Sequence, residues 1–129
     1  MSFVVTGLVT IGLVILFNKM VVTPFNDEKL IFVVPMVEEI AKTGSAIFLG
    51  SPVLLNHVFF GTVEALDDLW RSNKKSAPAA LASFVGHLIF GIFALLGMNL
   101  FGHFLGGILL SYTIHLGWNL FVIKLKKPD

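Results

Sequence analysis

The sequence contains no cysteine. Disulfides, cysteine-ligated zinc fingers and cysteine nucleophiles are therefore excluded, and the redox state of its compartment leaves no trace. Charge is scarce: Asp, Glu, Lys and Arg make up 13% of the 129 residues, where a soluble domain carries about 25%. The signs nearly cancel, to a net +1, so there is no basic surplus of the kind that binds nucleic acid. No H-E-x-x-H is present, so the familiar metalloprotease signature is missing. There is no internal repeat and no low-complexity tract, and the short loops predict no appended soluble domain.

What fills the chain is apolar, 56% by residue with a mean hydropathy of +0.89. A helix crossing hydrocarbon needs about 20 mostly apolar residues. Five stretches qualify, 2–18, 30–49, 52–70, 78–98 and 104–123. The expected fold class is therefore all-α: a polytopic integral membrane protein, one transmembrane domain over 1–129 built as a bundle of about five helices. The first stretch does not read as a signal peptide, because nothing basic precedes it and no A-x-A-like site follows. Pro78 falls in the first turn of its span, where proline is tolerated. Pro35 falls in the first half of the second.

The basic residues orient these spans. Lys19 and Lys29 flank the first loop, Arg71, Lys74 and Lys75 lie in the third, and Lys124, Lys126 and Lys127 form the tail. With five spans all eight fall on one side, which the positive-inside rule makes cytoplasmic. The N-terminus is then outside and the C-terminus inside. An even count would separate the tail from the loops.

The ninth basic residue, Lys42, stands within the second span beside Glu38 and Glu39, in "MVEEIAK". Glu64 is on the third span, His87 on the fourth, and His115 with Asn119 on the fifth. Such groups are costly in a bilayer, at least ~2.5 kcal/mol for a central Asp, Lys or Arg. They must face one another or a wet cavity. At ~1.5 Å per residue from the cytoplasmic ends, Glu38 and Glu39 lie ~12–14 Å deep, Glu64 ~9 Å, His87 ~14 Å and His115 ~12 Å. Four helices of alternating direction thus bring ionisable groups to nearly one level, which predicts a single site. Glu38 and Lys42 are i,i+4 and can pair. Glu39 is turned ~100° from Glu38 and is not bound to point the same way. His115 and Asn119 are i,i+4, as are Phe60 and Glu64. His57 and His103, near the outer ends of their spans, are expected at the interface. Asp67 and Asp68, within a turn of Trp70, are expected at the cytoplasmic interface. Trp118 either joins an interfacial belt with Trp70 or lines the cavity beside Asn119. Gly102-x-x-x-Gly106 fits a small-residue packing face, with Gly86, Gly91 and Gly107 among the other small residues of the last two spans.

Carboxylates with imidazoles suit acid–base work on water, and a His and an Asn on one face offer hydrogen-bond donors to an oxyanion. Hydrolysis of an acyl or peptide bond uses these parts. No cofactor is required by the sequence. Zinc is compatible with Glu and His ligands, and a metal would draw on Glu38, Glu64, His87 and His115.

These residues resemble a family. "VEEIAK" is similar to the E-E-x-x-K motif of the PrsW-type intramembrane proteases, "FGTVEAL" to their F-x-x-x-E motif, "SFVGHLIFG" to their histidine-bearing helix and "HLGWN" to their late His-containing helix. That family belongs with the CAAX prenyl endopeptidases, the Abi proteins and the Aph subunit of gamma-secretase. The resemblance covers about 33–121. It implies a glutamate-dependent intramembrane protease acting on a membrane-anchored protein, in a prokaryotic plasma membrane. Glu38 would activate water, supported by Glu39 and Lys42. Glu64 stands where the CAAX branch has histidine, leaving His87 as the nearest imidazole partner. His115 and Asn119 match that branch's H-x-x-x-N, whose implied job is the oxyanion hole. The implied catalytic set is Glu38, Glu39, Glu64, His87, His115 and Asn119, with Lys42 and Phe60 in support.

Two other readings stay open. The polar cluster serves equally in a non-catalytic scaffold of the Aph type, holding helices together. Chains of Glu and His also relay protons in carriers, although carriers usually show inverted repeats or broken helices. Five helices leave the wall of a cavity incomplete, so a partner subunit or a homo-oligomer is expected.

Overall fold

The computed structural model of the chain describes residues 2–22, 27–70 and 76–126. They form five α-helices: α1 (Phe3–Val22), α2 (Asp27–Phe48), α3 (Val53–Trp70), α4 (Ser76–Phe101) and α5 (Phe104–Lys126). Each expected span falls on one helix. Arg71, Lys74, Lys75 and Lys127, on which the expected orientation leans, lie outside the described residues. Among the described residues, α1, α4 and α5 contain segments long and apolar enough to cross a membrane: Phe3–Met20, Ala77–Phe101 and Phe104–Lys124. Helices α2 and α3 are of similar length but carry Glu38, Glu39 and Lys42, and Glu64, Asp67 and Asp68, respectively.

Helices α2, α3, α4 and α5 contact one another in a ring, which α2 closes against α5. Helix α1 packs outside the ring, on α2 and α3. Its buried stripe is Thr6, Thr10 and Val14, at i, i+4 and i+8, while Leu8, Leu13, Leu16 and Phe17 stay exposed. The whole molecule shares this inversion: thirteen polar or charged residues are buried among the described ones, against nine hydrophobic residues. In a water-soluble domain buried positions are mainly apolar. Small apolar clusters fill the rest, Val14, Ala41 and Phe60 at the α1–α2–α3 seam and Ala46, Val53 and Ala94 further along.

The turns follow from local chemistry. After α2, Gly50 takes a positive φ of 62°. The Ser51 amide then donates to the Ala46 carbonyl at 2.8 Å and the Gly50 amide to Ile47 at 3.3 Å, the paired bonds of a Schellman cap. After α4, Gly102 also takes a positive φ, 65°. His103 Nδ1 accepts from the Leu105 amide at 3.2 Å, capping α5. Gly102 therefore shapes a turn, and the expected packing face shifts inward. A Cβ on Gly106 would sit 2.9 Å from the Gly97 carbonyl oxygen, so the close α4–α5 approach runs through Gly97, Gly106 and Gly107.

The α3–α4 pair is antiparallel and interlocks histidine with glycine. A Cβ on Gly61 would lie 2.6 Å from the Cβ of His87, and one on Gly91 would lie 2.9 Å from that of His57. Each helix thus offers a glycine where the other presents an imidazole. This reciprocal fit sets the register that delivers His87 to the middle of the ring.

Candidate functional site

Helix α2 carries Glu38, Glu39 and Lys42 into the ring. Glu39 and Lys42 are fully enclosed, and Glu38 is 8% exposed. The Lys42 ammonium is the hub. Its Nζ lies 2.6 Å from Glu39 Oε1, 3.5 Å from Glu38 Oε2 and 3.0 Å from His87 Nδ1. It also stands 4.8 Å from the centre of the Phe60 ring, within cation–π range. The expected Glu38–Lys42 pair forms, but Glu39 holds the ammonium more closely.

Across the ring, His87 on α4 pairs with Glu64 on α3, Nε2 to Oε2 at 2.5 Å. One turn away Ser83 donates to Asp68 at 2.7 Å, a second rung of the same antiparallel register. Because an ammonium only donates, His87 Nδ1 accepts from Lys42 and His87 Nε2–H donates to Glu64. The proton positions of this imidazole are thereby fixed.

Helix α5 brings His115. Its Nδ1 lies 2.8 Å from Glu39 Oε1, and its Nε2 lies 3.9 Å from Glu38 Oε2. The ring stacks on Phe90 at 4.2 Å with 17° between planes and stands edge-on to His87 at 5.5 Å. Ser111, one turn before His115 and buried, donates to Glu39 Oε2.

A cavity of about 650 Å³ adjoins these groups. Its lining includes Glu38, Glu64, His87, His115, Trp118 and Asn119, and it extends to Pro78 and Ile123 near the helix ends. Glu39 and Lys42 do not line it. Six of the residues picked from sequence thus share one cavity wall or a direct contact with it: Glu38, Glu64, His87, His115 and Asn119 on the wall, and Phe60 edge-on to His87 at 5.2 Å. Glu39 and Lys42 form the enclosed layer behind. Trp118 takes the cavity position of its two expected ones.

His57 is the clearest correction. Expected at the interface, it is fully buried. Its Nε2 lies 3.3 Å from the Thr43 hydroxyl, and its Nδ1 3.7 Å from Glu39 Oε2. Its place one turn into α3 suggested cheap access to water, but the gap left by Gly91 draws it inward. His103 is exposed, as expected. Ser111 escaped notice, although Ser111, His115 and Asn119 form a polar stripe at i, i+4 and i+8 that the helical period makes visible.

Among the described residues, no group of three or more His, Asp or Glu side chains is arranged to hold a metal ion. Of the four expected ligands, His87 is engaged at both ring nitrogens, by Lys42 and by Glu64. Lys42 Nζ, itself a cation, occupies the point where Glu38, Glu39 and His87 converge. No family model, no characterised protein and no solved structure matches the chain.

Proposed function

We propose that the chain is an intramembrane hydrolase that cleaves a peptide bond of a membrane-anchored protein, with Glu38 holding the attacking water. On this reading all five helices cross the bilayer, with the N-terminus outside and the C-terminus cytoplasmic, in the plasma membrane of a prokaryote. The observation that carries the proposal is the meeting of Glu38 and His115 on the wall of one cavity, their nearest atoms 3.9 Å apart. Two groups at that distance are too far for a direct hydrogen bond and well placed to share a water. The cavity provides space for a substrate segment, and Asn119 provides an amide donor for the oxyanion. The excess of buried polar over buried apolar residues supports lipid as the surrounding solvent.

A second reading, a non-catalytic scaffold of the Aph type, draws support from the full enclosure of Glu39 and Lys42. Those two groups tie α2 to α4 and α5 without touching the cavity. Reconstitution into proteoliposomes with a broad set of single-span substrates separates the readings. Cleavage by the native chain that Glu38→Gln and His115→Ala abolish is the expected result. An inert native chain, with both variants folded and binding partners normally, would favour the scaffold.

A further inference from the structure

We infer that His115, held by Glu39, which Ser111 holds in turn, is the group that takes the proton from the attacking water, while His87 is locked as a donor. The inference rests on the hydrolase reading and reassigns roles within it. The resemblance implied His87 as the partner of Glu38 and His115 as an oxyanion donor.

The assignment follows from counting donors. Glu39 is fully buried and receives three contacts: Lys42 Nζ at 2.6 Å and His115 Nδ1 at 2.8 Å, both on Oε1, and the Ser111 hydroxyl on Oε2. A carboxylate only accepts. His115 Nδ1 therefore carries the hydrogen, and in the neutral ring Nε2 carries the lone pair. That nitrogen is the one 3.9 Å from Glu38, on the cavity wall. A water donating one hydrogen to each of two acceptors at ~2.8 Å spans about that gap, roughly 4 Å. A lone pair cannot donate to an oxyanion, so that task passes to Asn119. His87 has the opposite arrangement. Its Nδ1 is filled by Lys42 and its Nε2–H is given to Glu64. It has no free lone pair with which to act as a base.

The step balances without a cofactor. The water oxygen bonds to the scissile carbonyl carbon as its proton passes to His115 Nε2. Glu38 accepts the second hydrogen bond of the water and faces the imidazolium that forms. When the tetrahedral intermediate collapses, the C–N bond breaks and His115 returns the proton to the leaving amine. Glu39 and Ser111 touch neither water nor substrate. They are positioning residues, analogous to the carboxylate that fixes the imidazole in a serine-protease triad.

Nitrogen-15 spectra of the histidine-labelled full chain in lipid nanodiscs test the assignment whether or not a substrate is known. The expected result is a protonated Nδ1 and lone-pair Nε2 for His115, and the reverse for His87. Ser111→Ala should give a mixture of the two His115 forms, Ser111→Thr should restore the single form, and His57 and His103 signals report that the fold is kept. A native His115 with hydrogen on Nε2, or a His115 signal indifferent to Ser111→Ala, overturns the inference. On any substrate that is cleaved, His115→Gln keeps an amide donor but no base. It should lose activity as fully as His115→Ala, by about a hundredfold or more, and Ser111→Ala should lower kcat at unchanged KM. Substantial activity in His115→Gln restores the oxyanion role and defeats the inference. Absence of any cleavage by the native chain defeats the hydrolase reading instead, while the spectra still decide the proton positions.

Discussion

Two largely buried polar clusters meet on α2 and differ in what they face. The first is ionisable, with Glu38, Glu39, Lys42, Glu64, His87 and His115, and it has one side on a cavity. The second is neutral. Thr10 and Ser45 hydroxyls lie 2.5 Å apart, and Asn56 Nδ2 reaches the Thr10 hydroxyl at 3.0 Å, the Ser45 hydroxyl at 3.1 Å and the Lys42 carbonyl at 2.7 Å. Asn56 Oδ1 in turn accepts from Thr10 at 3.3 Å. None of the last cluster's side chains lines the cavity beside His115. A neutral network bonded chiefly within itself joins helices. A charged network with an open side retains groups that, on the hydrolase reading, exchange protons with a substrate. The difference teaches where chemistry and cohesion separate in this bundle.

The largest effect on either cluster should come from Lys42. Lys42→Met leaves Glu39 and Glu38 without their shared cation in an enclosed site. Stranding a buried charge costs about 3–5 kcal/mol, so thermal unfolding in micelles should fall sharply and cleavage with it. Adding Glu39→Gln to Lys42→Met should recover a large part of that stability. If Lys42→Met alone unfolds like the native chain, the hub assignment fails.

Glu38→Gln comes next and should divide activity from stability. Glu38 faces the cavity and its contact with Lys42 is the longer one, 3.5 Å against 2.6 Å for Glu39. On the hydrolase reading, cleavage should drop by about 10²–10⁴-fold, the range for loss of a group assisting proton transfer, while the unfolding midpoint moves little. Asn56→Ala should do the reverse. It removes one amide that serves two helices, at a cost of roughly 1–3 kcal/mol, with the cleavage rate per folded molecule unchanged. A rate loss in Asn56→Ala comparable with that in Glu38→Gln would erase the distinction between the clusters.

The sequence carried the helices and the level of the ionisable groups because both depend on spacing along single segments. Apolar runs of helical length were enough to place α1 through α5. Depth along each helix was enough to bring Glu38, Glu64, His87 and His115 together. Which glutamate holds Lys42 was not legible, because i,i+3 and i,i+4 partners are equally reachable on one helix. The choice of Glu39 depends on Ser111 and His115 arriving from α5. His57 was misplaced for the same kind of reason. Its burial depends on a glycine across the α3–α4 seam, thirty-four positions later in the chain, which no local pattern on α3 reports.

His57 also marks the boundary between the clusters, and the smallest expected effect belongs to it. It follows Asn56 directly on α3. Among the described residues, its bond within hydrogen-bonding range is to the neutral Thr43 hydroxyl, at 3.3 Å, and Glu39 stands beyond that range at 3.7 Å. Geometry therefore puts His57 with the cohesive cluster. His57→Gln keeps a side chain able to reach Thr43 and should cost no more than about 0.6 kcal/mol, the average for a hydrogen bond between membrane helices. Cleavage per folded molecule should stay within about twofold of native, since a difference of 1.4 kcal/mol is needed for a tenfold change in rate. A tenfold or greater fall in kcat without a matching loss of stability would show that Glu39 depends on His57. The ionisable cluster would then extend through α3 to the seam with Gly91, and the line between chemistry and cohesion would have to be drawn at Asn56 instead.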